Sequence, residues 1–392
     1  MNILRCVIIR GGTSRGVYIH ENELPPPGEL RDRVILDIFG SPDPRQIDGL
    51  GGADILTSKV CIIGPSMRDD ADLDYTFGQV MIKQPMVDYS INCGNLSSGV
   101  GPFAIDEGLI KPVEPVTTVR IYNTNTKKVL VAEVPVKDGK AVVEGDFAID
   151  GTPGTGAKIA LDFAATAGTV KGLLVPTGKA KEVVEIEGVG QIEVSIIDAA
   201  NPTIFAKARD IGISGKEDFK KLLDNDEVWH KAELIRGYGA EVLGFVKDRR
   251  DALKKTPAGP FAAFVSEASD YINHTTGSTV KAESCDLRSV IWAAASVHKA
   301  YAVTGSICTG AAALVPGSVV NEVLSEQAKK SGVVRIGHPA GILAVEAQVD
   351  ASANGFELRK AALYRTARRI MEGYVYLKPW SLRNDLPQMR RR

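Results

Sequence analysis

Cys93 stands in the run Asn92-Cys93-Gly94-Asn95, between a short strand-like stretch at residues 86–89 and a small-residue segment at 96–108 that reads as a helix. That places a thiol at a helix mouth. The first N–H groups of a helix lack intrahelical acceptors and its dipole favours negative charge there, so a thiolate or a substrate carboxylate would both be stabilised. The pattern points to a nucleophile or an acid/base site. Far downstream, Ser306-Ile307-Cys308-Thr309-Gly310-Ala311-Ala312-Ala313 repeats the grammar of strand-like run, small-residue turn and small-residue helix. The two halves read as versions of one unit. If both helices face one cleft, the N–H groups of Gly94, Asn95, Thr309 and Gly310 are donors for a developing negative charge.

The elements around these residues are mostly strands. Residues 4–10 and 17–19 read as extended, joined by a glycine turn at 11–16, and 30–39 has helical spacing that ends before Pro42. The glycines at 49, 51 and 52 mark a loop that bends sharply or approaches a ligand. Strand-like runs follow at 59–63, 73–82, 118–122, 129–136, 141–144 and 161–163, and after a hinge at 176–179 they resume at 183–186, 192–197, 203–208 and 261–266. The charged stretch 216–253 predicts two or three helices, 286–301 a further helix by its spacing, and 308–314 the start of another. A helix made mainly of Gly, Ala and Ser has no broad polar face and is best buried on all sides, as inside a curled sheet. The expected fold is α+β: two pseudo-symmetric domains, 1–180 and 181–392, each a mostly antiparallel sheet around a central helix. A last strand near 360–378 is free to return to the first domain.

Composition excludes several classes of function. A chain of 392 residues suits two domains of ordinary size. Its 47 basic and 48 acidic residues create no bulk field for nucleic acid or an anionic membrane. Only the tail at 389–392 is a basic cluster, expected to be solvated. The five cysteines show no Cys-x-x-Cys spacing, no apolar leader precedes them, and no apolar run is long enough to span a bilayer, which together imply a cytoplasmic protein with reduced thiols. His20, His230, His274, His298 and His338 are scattered without ligand spacing, which argues against a metal site. No phosphate-loop pattern accompanies the glycines, so nucleotide binding is not supported. Cys6, Cys61, Cys285 and Cys308 read as small buried hydrophobes, His338 before Pro339 as a turn former, and 216–255 as a solvated face or the edge of a homo-oligomer.

Several motifs together carry a resemblance that runs through nearly the whole chain. They are Arg10-Gly11-Gly12-Thr13-Ser14-Arg15-Gly16, Arg45-Gln46-Ile47-Asp48-Gly49, Gly52-Ala53-Asp54, Leu56-Thr57-Ser58-Lys59, Asn92-Cys93-Gly94-Asn95 and Ile336-Gly337-His338-Pro339-Ala340-Gly341. In these the chain resembles the PrpF family, within the diaminopimelate-epimerase-like fold. The resemblance implies a cofactor-independent isomerase that moves a C=C bond in a small unsaturated di- or tricarboxylate such as methylitaconate, oxalomesaconate, methylaconitate or aconitate. Asp74-Tyr75-Thr76-Phe77 and Val319-Val320-Asn321-Glu322-Val323 are most similar to the methylitaconate branch. The resemblance also implies an acid/base pair, the lysine of Thr-Ser-Lys and the cysteine of Cys-Gly-Asn, here Lys59 and Cys93.

The true epimerases of this fold use a second cysteine before the later helix. Aligning on Thr309-Gly310-Ala311 puts Ile307 at that position, which speaks against a racemase or epimerase. The same alignment places Lys299 where epimerases clamp a carboxylate with arginine, with His298 beside it. Thr13, Ser14 and Asn201 complete the expected side-chain donors. An allylic shift needs one proton removed, a dienolate stabilised and a proton returned two carbons away, a task for a lysine and a thiol. A non-catalytic accessory protein of an aconitase-type enzyme is the rival reading, and the intact Lys59/Cys93 pair favours the enzyme.

Overall fold

The computed structural model describes residues 3–213, 219–353 and 355–379. Residues 216–218 of the charged segment and the basic tail at 389–392 lie outside these. The chain opens with the hairpin β1 (Ile3–Gly11) and β2 (Ser14–His20), which pair antiparallel with Gly11 opposite Ser14. It crosses over through α1 (Glu29–Phe39) and returns as β3 (Lys59–Pro65), parallel to β2. A parallel neighbour requires such a crossover, because a tight turn can only reverse a strand. β4 (Leu73–Val80) and β5 (Val87–Asp88) add antiparallel pairs. A second crossover through α2 (Gly94–Asp106) leads to β6 (Val116–Asn123), parallel to β4. β7 (Lys128–Lys137) and β8 (Ile159–Asp162) close this run antiparallel.

A second run repeats the pairing pattern strand for strand. β9 (Glu182–Ile186), β10 (Gly190–Ala199) and β11 (Asn201–Lys207) are antiparallel. A crossover containing α3 (Asp226–Val242) leads to parallel β12 (Phe261–Ser266), and β13 (Leu287–Ala293) with β14 (Ser296–Val297) follows antiparallel. The crossover through α4 (Val303–Ala313) leads to β15 (Val333–His338), parallel to β13. β16 (Gly341–Ser352) and β17 (Gly355–Arg365) end the run antiparallel, and β17 pairs with β8 of the first run. Finally β18 (Ala367–Tyr376) pairs with β1, the place that β9 takes beside β10.

Two expectations are corrected here. The strands form one mixed sheet, 19-stranded among the described residues, where a separate sheet in each half is expected; the pairing is mostly antiparallel as expected, with two parallel ladders in each run. Each parallel ladder follows from a helical crossover. Residues 286–301, read as helix, are instead β13 and β14. Leu287 and Ile291 enter the core around α4, while Val290 and Trp292 pack with Trp229 of α3. A strand covered on both faces loses the two-residue alternation that identifies strands.

α2 and α4 are the central helices, with every residue of α4 buried. Their glycines are dictated by what surrounds them. A Cβ at Gly99 would stand 2.4 Å from the Tyr18 hydroxyl, and one at Gly305 would stand 2.4 Å from Ile291 Cδ1. The far end of α2 is tied down by Glu107, which accepts from Arg5 of β1, from His20 at 2.9 Å and from Arg369 of β18 at 2.6 Å. The glycine loop at 49–52 bends around protein: Cβ atoms at Gly49 and Gly51 would fall 2.2 Å from the Phe39 carbonyl carbon and from Gln46. Among the described residues no helix is long and apolar enough to cross a membrane.

The Tyr18 ring also donates to the Leu96 carbonyl at 2.5 Å, so it cannot swing away from an enlarged residue 99. Gly99→Val should therefore cost about 3 kcal/mol through overpacking, read as a lower urea midpoint; an unchanged midpoint would contradict this packing.

Candidate active site

α2 opens at Gly94 with Cys93 as its N-cap, and α4 opens at Val303 with Ala302 as its N-cap; neither start has a side-chain cap. The two starts abut. A Cβ on Gly94 would lie 2.5 Å from Val303 Cγ1. The N–H groups of Gly94, Asn95, Val303 and Thr304 find no acceptor among the described residues, the first intrahelical bonds being those of Ser97 to Cys93 and Ser306 to Ala302. Thr309 and Gly310, expected to supply donors, lie inside α4, and the Thr309 hydroxyl bonds the Gly305 carbonyl at 2.8 Å. The helix begins earlier than expected because burial inside the sheet overrides the strand preference of Val303, Thr304 and Ile307. Accordingly the counterpart of Cys93 is Ala302, not Ile307. The second helix mouth still carries no cysteine.

A cavity of about 40 Å³ lies between the helix mouths. Lys59, Gln79, Cys93, Gly94 and Asn95 line it from the first run, and Phe261, Ala293, His298, Ala302 and Thr304 from the second. Lys59, the first residue of β3, is buried; its Nζ donates to Gln79 Oε1 at 2.6 Å and lies 5.1 Å from the Phe77 ring centroid. Gln79 faces Lys59 across the β3–β4 ladder, and its own amide donates to the Ser58 carbonyl at 2.9 Å, which fixes its orientation. The one signal for Gln79 in the sequence is its lone amide in the apolar run Phe77 to Val80.

His298 is buried on the same cavity. Its Nδ1 accepts from the Ala300 N–H at 3.2 Å, which assigns the proton to Nε2. Burial, aided by the nearby Lys59 charge, pulls the imidazole down to about 4, so it is neutral at physiological pH.

The remaining expected donors serve elsewhere. Asn201 is fully buried and does not line the cavity; its Oδ1 accepts from the Asn92 N–H at 3.0 Å and its Nδ2 donates to the Asn92 carbonyl and to Thr304 Oγ1, both at 2.8 Å. It braces the two helix mouths. Lys299 points away from the cavity and pairs with Asp54. Thr13 and Ser14 sit behind Asn95: the Thr13 N–H donates to Asn95 Oδ1 at 3.2 Å, and Ser14 is buried in the hairpin. Their turn does make a close approach, but to Asn95, since a Cβ at Gly12 would fall 2.0 Å from its Oδ1.

Comparison with known proteins adds to this geometry. The family model described as "PrpF protein" matches residues 1–378. The chain is 50% identical to the 3-methylitaconate isomerase of Eubacterium barkeri, over 95% of this chain and 97% of that one. It is 39% identical to the 2-methyl-aconitate isomerase of Shewanella oneidensis, over 94% and 95% of the two chains. Among solved structures it is similar to a methylitaconate-delta-isomerase, with TM-score 0.79 and 48% identity over 99% of each chain. A hydroxyproline epimerase from Agrobacterium vitis, 14% identical over 97% of this chain and 96% of that one, shares the fold with TM-score 0.56.

Burial of neutral imidazoles has a consequence for stability. His298 is held at about 4, and His338, buried beside Arg365, at about 3. In the unfolded chain both titrate near ~6.5. Their folded values are depressed, so their contribution is complete above pH ~6.5 and is lost as the pH falls toward ~4, where the unfolded state binds protons that the native state refuses. Unfolding free energy should drop by about 1.4 kcal/mol per pH unit for each histidine below pH ~6. His298→Gln should roughly halve this histidine-dependent slope between pH ~6 and ~4.5 in urea titrations, and an unchanged slope would show that His298 is not held neutral.

Proposed function

The chain belongs to the PrpF family of isomerases, and on that premise we propose that it moves the C=C bond of a small unsaturated dicarboxylate without a cofactor, converting 3-methylitaconate to 2,3-dimethylmaleate. The observation that carries this reading is the placement of Lys59 and Cys93 on one wall of a cavity between two uncapped helix N-termini. The 50% identity to the isomerase from Eubacterium barkeri favours this substrate over the oxalomesaconate and aconitate-type acids. The same reading takes residues 1–180 and 181–392 as two domains, with β18 returned to the first.

Lys59, held by its bond to Gln79, takes the proton from the carbon that bears the methyl and carboxylate groups. The C–H electron pair delocalises, and it ends as the new C=C bond when the methylene carbon is protonated. Charge passes onto the adjoining carboxylate as a dienolate, and the unpaired N–H groups of Gly94, Asn95, Val303 and Thr304 stabilise it. The former methylene carbon then takes a proton, delivered by the Cys93 thiol, and becomes a methyl group. Proton return from the lysine ammonium to the thiolate restores both groups. The neutral His298 adds an Nε2–H donor without adding charge.

Proton NMR in D₂O with methylitaconate, oxalomesaconate, methylaconitate and trans-aconitate tests the proposal. Double-bond migration with deuterium uptake is expected for methylitaconate. Lys59→Met should lower kcat by about 10³-fold or more, and Cys93→Ser by about 10²-fold with some exchange at the allylic carbon retained. Exchange lost in Cys93→Ser but kept in Lys59→Met would reverse the two roles. No migration of any acid would favour the accessory-protein reading.

A further inference from the structure

Thr13 and His338 line a cavity other than the catalytic one. It measures about 370 Å³ and is bounded also by Asp150, Tyr301, Tyr364 and Arg365. Arg365, the last residue of β17, is only 6% exposed and enters no ion pair with a carboxylate among the described residues. Its Nε donates to Asn95 Oδ1 at 3.3 Å and its Nη1 to the Tyr364 carbonyl at 2.9 Å, which leaves Nη2 without an acceptor. Burial pulls this guanidinium down to about 10. Asp150 on the same cavity offsets part of that burial through space but makes no hydrogen bond to it, and a desolvated cation without a direct partner is a costly arrangement in a folded core.

Two further donors meet it. His338 is 2% exposed, and its Nδ1 accepts from the Ala340 N–H at 3.2 Å, so the proton on Nε2 has no partner among the described residues. The Thr13 hydroxyl oxygen is buried and likewise unpartnered. Asp150, the carboxylate on this cavity, is exposed, accepts from the Ile342 N–H at 2.6 Å through one oxygen and acts on Arg365 through space, so an incoming anion competes with it for the guanidinium. Phe147, Leu343 and Tyr364 add apolar walls, with Lys158 over the Tyr364 ring at 3.7 Å from its centroid. Convergent donors beside apolar walls suit an anionic head on a short carbon skeleton, and a guanidinium fork matches a carboxylate.

We propose that this cavity is a second site for a small organic carboxylate, coupled to the catalytic cavity through Asn95. Asn95 lies in the first turn of α2 and lines the catalytic cavity, while its Oδ1 accepts from both Arg365 and the Thr13 N–H. A carboxylate that draws Arg365 toward itself removes one of that oxygen's two donors. The site stands independently of the isomerase reading, because none of its donors takes part in proton transfer.

Calorimetric titration with succinate, and separately with inorganic phosphate, tests it. Ala302→Met fills the catalytic cavity and should keep one equivalent of bound succinate, with a shift of the Asn95 side-chain amide resonance. Arg365→Met should weaken that binding by about tenfold or more. Ala344→Trp, at an exposed position on the cavity rim, should block it without disturbing the core. Loss of all succinate binding in Ala302→Met would overturn the second site, as would unchanged affinity in both Arg365→Met and Ala344→Trp. Phosphate bound more tightly than succinate would overturn the carboxylate assignment, and an unmoved Asn95 resonance would overturn the coupling.

Discussion

Two buried helices that meet start to start create the constraint on which the rest of this molecule depends. Each helix start leaves N–H groups that it cannot satisfy, and here the unsatisfied groups of Gly94, Asn95, Val303 and Thr304 share one small enclosed space. Such a junction is stable only if the surrounding structure holds it. The sheet does so by curling around both helices, and each helix in turn forms the crossover that makes its flanking strands parallel. Asn201 and Asn95 complete the hold from inside. Asn201 binds the Asn92 backbone and Thr304, while Asn95 donates to the Tyr301 carbonyl at 3.4 Å, so each side chain spans the junction between the helices.

The scaffold is repeated, but the chemistry is not. The ladder registers pair Lys59 with Gln79 in one run and correspond to Phe261 and Ala293 in the other, since Ala262 faces Trp292. Cys93 corresponds to Ala302 in the same way, each capping its helix. One half therefore supplies the proposed reactive groups and the other supplies apolar walls and one neutral imidazole. A racemase or epimerase needs an acid and a base opposed across a single carbon. An allylic shift needs them at two carbons, and a one-sided arrangement can serve both. This asymmetry is the physical ground on which the proposed reaction differs from that of the epimerase of similar fold.

The sequence made some of this legible and hid the rest for identifiable reasons. Lys59 and Cys93 were readable from motifs, and Cys93 also from local grammar, because a helix start leaves a compositional mark. The repeat itself was visible, but its phase was not. α4 begins with Val303 and Thr304, β-branched residues that favour strands, so composition puts the helix start several residues late, with Thr309, Gly310 and Ile307 in the places that Thr304, Gly305 and Ala302 hold. Strand β13 was hidden by burial on both faces. Polar residues near the motifs have partners that spacing does not reveal: Asn201, Thr13 and Lys299 satisfy the protein's own backbone or carboxylate groups, or face a different cavity. A side chain's partner is a tertiary property that spacing does not encode.

The catalytic cavity also constrains how a substrate arrives. At about 40 Å³ it has room for roughly three waters, whereas a six-carbon diacid has about ten non-hydrogen atoms to accommodate. A neighbouring cavity of about 330 Å³, lined also by Asp54 and Lys299, shares Ile55, Gln79 and Ala294 with it, so a diacid fits only where the two spaces join or where the helix starts part. The two asparagine braces differ in strength across this junction. Asn201 holds three bonds of 2.8–3.0 Å, but the bond from Asn95 to Tyr301 is 3.4 Å long. Separation on the Asn95 side breaks less than separation on the Asn201 side. Where binding parts the helix starts, some of the substrate's binding energy goes into that separation, and apparent affinity falls as the closed form becomes more stable.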